Sequence, residues 1–412
     1  MTMRRREFLK GAGSIPLSLG LAGAATRAAA AVEADAARAF GFAEDRVPMN
    51  AANLCPMPSA ISAAVHRFQT ELDTDMSAAS RRRVEAFKDD ARQGIARQLG
   101  VLPSEIAIVR NTSEANNIIV QGAALADGDQ VLLWDQNHPS NLVAWSVRAE
   151  RQPLELKRLS IPVDAGSVDE VVDRFAAAVS DDTRVVSFTH ISNVTGFRLP
   201  ADEVCAAIRR KNPRVHIHVD GAQTWGAADV DLRRMDCDSF SGSAHKWYMG
   251  PREVGMLYVR EARQGSIWPG VVSVPWGSEA TPEVPGARRF EALGQRDDAA
   301  IAALAETVRF HDELTPAGVE RRSTEIADRL RATLIDLDLP FLSSKNPLFK
   351  SSVIILRAPQ ENRAQLTSNV LRDGGVILAT VNGLRMSPHV YNTPEHVERV
   401  AAAIDRSRHL LG

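Results

Sequence analysis

Ser241-Gly242-Ser243-Ala244-His245-Lys246-Trp247 is the stretch on which the reading of this chain turns. It closes the small and apolar run Cys237-Asp238-Ser239-Phe240-Ser241-Gly242-Ser243-Ala244, so Lys246 is expected to leave a buried strand rather than a solvated loop. About 25 residues upstream, His216-Ile217-His218-Val219-Asp220-Gly221-Ala222-Gln223 reads as a strand that delivers an acid at its C-terminal end. Open α/β sheets place their chemistry at such ends. Most lysines are solvated surface charges. A buried ammonium, however, loses hydration and its pKa falls, which makes it usable as an amine nucleophile and then as a base.

Pyridoxal 5'-phosphate needs such a lysine for its Schiff base and a carboxylate to keep its pyridine nitrogen protonated. Lys246 and Asp220 are the candidates for these two roles. The pairing of His218-Val219-Asp220-Gly221-Ala222-Gln223 with Ser243-Ala244-His245-Lys246 resembles the class V aminotransferase family, which includes cysteine desulfurases, selenocysteine lyases and isopenicillin N epimerase. The resemblance runs over nearly all of the chain after the first few dozen residues. It implies an α/β fold of the aspartate aminotransferase-like type I: a large domain with a mainly parallel sheet over residues 61–297, and a small C-terminal α/β domain over 298–412 joined by an N-terminal arm, 32–60. It also implies a homodimer.

The N-terminus carries a separate signal. Arg4-Arg5-Arg6-Glu7-Phe8-Leu9-Lys10 precedes an apolar, Gly- and Ala-rich run to Ala25, then a small-residue exit near Ala31. That order predicts a removable export signal over 1–31, not a membrane anchor. Arg5-Arg6-x-Phe8-Leu9-Lys10 resembles the twin-arginine type, which would make the twin-arginine translocase a partner and the periplasm the destination; the alternative is a disordered basic tail. Twin-arginine export moves folded chains, consistent with a cofactor loaded before departure. Loss of residues 1–31 removes five basic residues and one acidic one, taking the formal net charge from −2 to −6. A mildly acidic surface gives no basis for nucleic acid or anionic membrane as a partner. Cys55, Cys205 and Cys237 are too few and too scattered for a disulfide framework or a zinc site, so no metal is expected.

Along the chain, Val84, Phe87, Ala91 and Ile95 at helical spacing predict an amphipathic helix ending near Gly100. Strand-like 106–109 runs into Asn111-Thr112-Ser113-Glu114-Ala115-Asn116, with a helix expected from Asn117 to Ala126. Strand, polar turn and helix aim free N–H groups at an anion, and Thr112 and Ser113 would donate to a phosphate there. An ordinary helix cap reads equally well from the residues alone, and the family resemblance favours phosphate. Strand 131–134 ends in Asp135-Gln136-Asn137-His138-Pro139-Ser140-Asn141, where the resemblance makes His138 the residue stacked on the pyridine ring. In His190-Ile191-Ser192-Asn193-Val194-Thr195-Gly196 it makes Asn193, together with Gln223, a partner of the cofactor's phenolic oxygen; an Asx turn is the plain alternative. Ser243 and His245 join the cofactor set. The strands around Asp220 are expected to run parallel in one sheet.

For substrate, Leu384-Arg385-Met386-Ser387-Pro388-His389-Val390-Tyr391-Asn392 resembles the family's carboxylate-binding segment, and the guanidinium fork of Arg385 matches a carboxylate in two parallel bonds. Asn50 and Asn53, in the loop before Cys55, are weaker substrate candidates. Desulfurases carry a threonine near position 295 that reaches the partner's phosphate; this chain has Gln295 there, and Arg296 is the substitute candidate. The resemblance leaves transamination, epimerisation and β-elimination open for an amino acid or amine substrate. A persulfide-forming desulfurase is disfavoured, since no cysteine follows Cys237. A catalytically idle exported binding protein is the rival from another class, but it predicts decay of Asp220, Lys246 or the phosphate loop, and all three are intact. No Gly-rich fingerprint follows a strand, which argues against a dinucleotide or P-loop enzyme.

Overall fold

The structure, a computed structural model, describes residues 38–273 and 284–411. The export signal expected over 1–31 and part of the long irregular stretch before Arg289 lie outside them.

Seven strands form the central sheet: β2 (Ile106–Val109), β3 (Gln130–Trp134), β4 (Glu155–Leu159), β5 (Thr183–Thr189), β6 (His216–Asp220), β7 (Ser239–Ser243) and β8 (Gly255–Val259). Their order is β2-β8-β7-β6-β5-β3-β4. From β7 to β4 every neighbour is parallel, whereas β8 is antiparallel to both β7 and β2. The reason is local: β7 and β8 are joined by the short Lys246 turn, which reverses the chain instead of crossing over a helix.

Side chains alternate across this sheet as a period of two requires. Leu132 and Trp134 of β3 face one core with Val186, Phe188, Ile217 and Val219, while Val131 and Leu133 face the other with Val185 and Leu257. Helices cover both faces: α1 (Ser59–Thr74), α2 (Ala78–Gln98), α3 (Thr112–Gly122), α4 (Pro139–Arg151), α5 (Val168–Ala178) and α6 (Ala201–Lys211). The one starting at Thr112 begins five residues earlier than expected. Asn111 caps it by accepting from the Glu114 N–H (3.0 Å), and the Glu114 carboxylate reaches back to the Arg110 N–H, so the polar stretch is the first turn of the helix.

The C-terminal part begins with α7 (Asp298–Leu314) and α8 (Pro316–Asp336). Ala299, Ala302 and Ala303 of α7 pack with Ala64, Phe68 and Val84, so α7 belongs to the large-domain layer. The second core takes its first helical residues from α8, Ile326 and Leu330, which moves the boundary expected at 298 to the α7–α8 turn. That core also holds β9 (Ile354–Leu356), α9 (Arg363–Gly374), β10 (Val376–Ile377), β12 (Leu384–Met386) and α10 (Pro394–Arg406), with β11 (Ala379–Thr380) pairing with β12 at the sheet edge. The arm joins it: β1 (Val47–Pro48) pairs with β10, and Val47 and Met49 are buried among its side chains. Among the described residues no helix is long and apolar enough to cross a membrane, and no group of three or more His, Cys, Asp or Glu could hold a metal.

Candidate active site

β3, β5, β6 and β7 run parallel, so their C-terminal ends share one edge of the sheet. His138 lies four residues past β3, Asn193 four past β5, Asp220 at the end of β6, and Lys246 three past β7. The topology thus brings together four residues that are far apart in sequence.

Asp220 is buried. Its Oδ2 accepts from Asn116 Nδ2 (2.8 Å) and its Oδ1 from the Ala222 N–H (3.0 Å). Gly221 is obligatory beside it, because a Cβ there would lie 1.9 Å from the Phe240 ring. Burial pushes the Lys246 ammonium below its ordinary pKa; the Asp220 charge opposes that shift and the Arg385 charge adds to it. The His138 ring is likewise lowered, first by burial and then by Lys246. Ser140 N–H donates to His138 Nδ1 (3.1 Å), which leaves Nε2 as the protonated nitrogen of a neutral ring.

At the start of α3, the Thr112 N–H donates to Ser243 Oγ (2.8 Å), and the two hydroxyls also meet at 2.8 Å. His245 follows immediately, its pKa lowered to about 4 by burial and by the charges of Lys246 and Arg252. This is a cluster of neutral donors at a helix N-terminus, suited to a phosphate. Ser113 does not join it: the side chain is exposed and lines a cleft of about 400 Å³ with Arg110, Glu114, Asn117 and Phe290. Arg296 is separate too. It donates to the Ile108 carbonyl (2.5 Å) and lies in the field of Glu114, Glu291 and Arg110, whereas the charges around Lys246 are Asp220 and Arg385.

Arg385, on β12, approaches from the small domain. Its Nη2 donates to Asn50 Oδ1 (3.3 Å) and its Nη1 to the Asn193 carbonyl (3.5 Å), both long bonds. Burial lowers its pKa to about 10. Ser387, two residues on, holds the arm in place: its N–H donates to the Met49 carbonyl (2.8 Å) and its Oγ accepts from the Ala52 N–H (3.0 Å). Gln223 is engaged at both ends of its amide. Its Nε2 donates to the Ala52 carbonyl (3.0 Å) and its Oε1 accepts from Trp247 Nε1 (2.7 Å), so it ties the arm to the residue after Lys246. Behind Gln223 and Trp247 a cavity of about 230 Å³ is lined by Arg198, Glu320, Asp328 and Lys350, whose charges are satisfied in the pairs Arg198–Glu320 and Lys350–Asp328.

Two buried polar atoms here, Asn193 Oδ1 and Arg385 Nε, have no partner among the described residues. Native interiors leave few such atoms, and both sit around Lys246, where a ligand would satisfy them. An amine of lowered pKa, a buried acid, a neutral ring at the strand edge and a neutral donor cluster together fit pyridoxal phosphate. Residues that the sequence did not single out include Asn116, Ser387 and Trp247. Asn116 had a signal, since it lies four positions after Thr112 on the same helix face.

The comparisons agree with this geometry. The class-V aminotransferase family model matches residues 55–400. Isopenicillin N epimerase of Streptomyces clavuligerus is 30% identical over 87% of this chain and 94% of its own length. A cysteine desulfurase of Cronobacter sakazakii is 28% identical over 85% and 87%. Among solved structures, the cystine C–S lyase C-DES in complex with cysteine persulfide superposes with a TM-score of 0.80 at 23% identity, covering 88% of this chain and 98% of that one. The apo cysteine desulfurase of Thermococcus onnurineus gives 0.80 at 20% identity, covering 91% and 98%. With Lys246, Asp220 and the Thr112–Ser243 cluster in place, the chain belongs to the class-V aminotransferase family, and pyridoxal 5'-phosphate is its cofactor.

Proposed function

We propose that this enzyme acts at the Cα of an amino acid or amine-bearing metabolite, as an aminotransferase or epimerase, and not as a persulfide-forming desulfurase. Bound pyridoxal phosphate supplies an electron sink for bond cleavage at Cα. The protein does the rest. Arg385 binds the substrate carboxylate, with Asn50 and the Asn193 carbonyl orienting its fork. The Lys246 amine, kept below its ordinary pKa, takes and returns the Cα proton. Asp220 would hold the pyridine nitrogen of the bound cofactor protonated, and His138 would supply a neutral imidazole beside its ring.

The observation that carries the choice of branch is the state of the thiols. The chain has three cysteines, all buried and free. Cys55, whose N–H donates to the His245 carbonyl beside the site, has its pKa pushed up to about 12 by burial. Burial likewise raises the thiol pKa of Cys205 and of Cys237. A persulfide carrier needs an accessible thiolate, and none of these provides one. A panel of L-amino acids incubated with the holoenzyme in deuterium oxide should show deuterium entering Cα by NMR. Cysteine should yield neither alanine nor enzyme-bound persulfide, and formation of both would overturn this branch.

The order Arg5-Arg6-x-Phe8-Leu9-Lys10 supports export of the folded, loaded enzyme to the periplasm, where tailoring of a secondary metabolite suits its chemistry. Replacing Arg5 and Arg6 by lysine should hold it in the cytoplasm; a double variant that still reaches the periplasm refutes this route. The exposed apolar side chains Trp268, Val271 and Val272, next to the cleft that Ser113 lines, support a homodimer.

A further inference from the structure

The face of β6 and β7 that lies under α3 is polar along its whole length. His216, His218 and Asp220 alternate on β6, and Ser239, Ser241 and Ser243 on β7, with His218 opposite Ser239 and Asp220 opposite Ser241. All six are buried. Buried sheet faces are ordinarily apolar, and a polar one is stable only if every member is bonded.

The bonds form a line. His216 Nε2 and Ser239 Oγ are 2.8 Å apart, and Ser239 Oγ and His218 Nδ1 are also 2.8 Å apart. His218 Nε2 and Asn116 Oδ1 are 2.9 Å apart. Ser241 Oγ donates to the same Asn116 Oδ1 (2.7 Å), and Asn116 Nδ2 donates to Asp220 Oδ2 (2.8 Å). The direction follows from the chemistry of the groups. With the Asn116 nitrogen turned to Asp220, its oxygen can only accept, so His218 must donate from Nε2. Burial holds the His218 pKa near 3 and that of His216 near 4, so both rings are neutral. The bare Nδ1 of His218 then needs the Ser239 hydroxyl proton, and Ser239 Oγ in turn accepts from His216 Nε2.

We propose that His216, Ser239, His218 and Asn116 form a one-way donor chain ending on Asp220, which meets it with donors only and so keeps its free acceptor face aimed at the pyridine nitrogen. Asn116 and His218 are thus positioning residues for the reaction. The proposal rests on the reading of Asp220 as the acid beside the ring, and it adds the device that sets the orientation of that acid.

The direct test is the tautomer of His218 in apoprotein labelled with ¹⁵N-histidine, read by NMR at neutral pH. The chain requires a neutral ring protonated at Nε2; a ring protonated at Nδ1 or on both nitrogens overturns it, whatever the cofactor does. The second test compares Asn116→Ala with Asn116→Asp in the holoenzyme. Removing a donor to a charged group is worth roughly ten-fold or more, and it should appear in kcat and in the visible band of the bound cofactor with KM little changed. Asn116→Asp keeps the shape but sets two carboxyl groups face to face, so it should lose at least as much as Asn116→Ala. If packing were the only role of Asn116, the isosteric Asn116→Asp would keep kcat and spectrum, and that result overturns the proposal. A wild-type holoenzyme without a visible band would instead count against the cofactor reading, which keeps the two failures distinct.

Discussion

Asp220, His138 and Asn193 reach Lys246 from the edge of a single sheet, whereas Arg385 and Asn50 reach it from the small domain and the arm that packs with it. The first group is held by parallel strands whose registers are locked through two buried cores. The second depends on the two long hydrogen bonds of Arg385 and on Ser387, which clips β12 to the arm. The difference separates two tasks. On the proposed roles, the groups for the cofactor sit on strands held between two buried cores, and the groups for the substrate sit at a seam between two cores, where sequence can change without unravelling the sheet.

The largest expected effect touches both regions at once. His216 and His218 on the sheet side, His190 past β5, His311 on α7 and His389 past β12 all have folded pKa values lowered to about 3 or 4 by burial, against 6.5 when unfolded. Because the unfolded chain takes up protons first, the stability tied to these neutral rings is fully present above pH 6.5. It is lost as pH falls toward the folded values, by about 1.4 kcal/mol per pH unit for each ring. Thermal melts of the apoprotein should show Tm falling steeply below about pH 6. A flat Tm down to pH 4 would mean that the rings are not held neutral. His389 Nε2 donates to the Trp247 carbonyl (2.7 Å), a bond that joins the halves, so one acid transition is expected rather than two.

Within the site, Lys246→Ala should lose roughly 10² to 10⁴-fold in kcat from the missing base alone, with the fold intact by circular dichroism. Arg385→Ala should cost about 2 to 5 kcal/mol in kcat/KM on an amino acid, and much less on the decarboxylated amine, because the pair it makes is charge-assisted and buried. Its visible cofactor spectrum should stay unchanged. Equal loss on both substrates would erase the distinction between the two regions. Asn50→Ala, which removes one neutral partner of Arg385, should raise KM by about 1 kcal/mol or less and leave kcat in place; a larger fall in kcat would put Asn50 on the cofactor side.

Legibility in the sequence followed the same division. Asp220 and Lys246 are legible because the first closes a strand and the second lies three residues past one, each strand declared by its local composition, whereas Thr112, Ser243 and His245 rest on the family resemblance. The start of α3 is hidden in the sequence, since Asn111 caps through a side chain and a polar first turn looks like loop. The partners of Gln223 could not be read at all: Ala52 lies 171 residues away, and its carbonyl leaves no mark in the sequence. Asn116 gives little sign of its role in the sequence, because an asparagine inside a helix usually faces solvent, and only the packing of α3 onto β6 and β7 shows that this one does not.

The central claim is that Lys246 is the amine that carries the cofactor. Purified holoenzyme should show a visible absorption band that borohydride abolishes, and peptide mapping should then find the added mass of the reduced cofactor on Lys246. Added mass on another lysine, or no band in protein supplied with pyridoxal phosphate, would contradict the account.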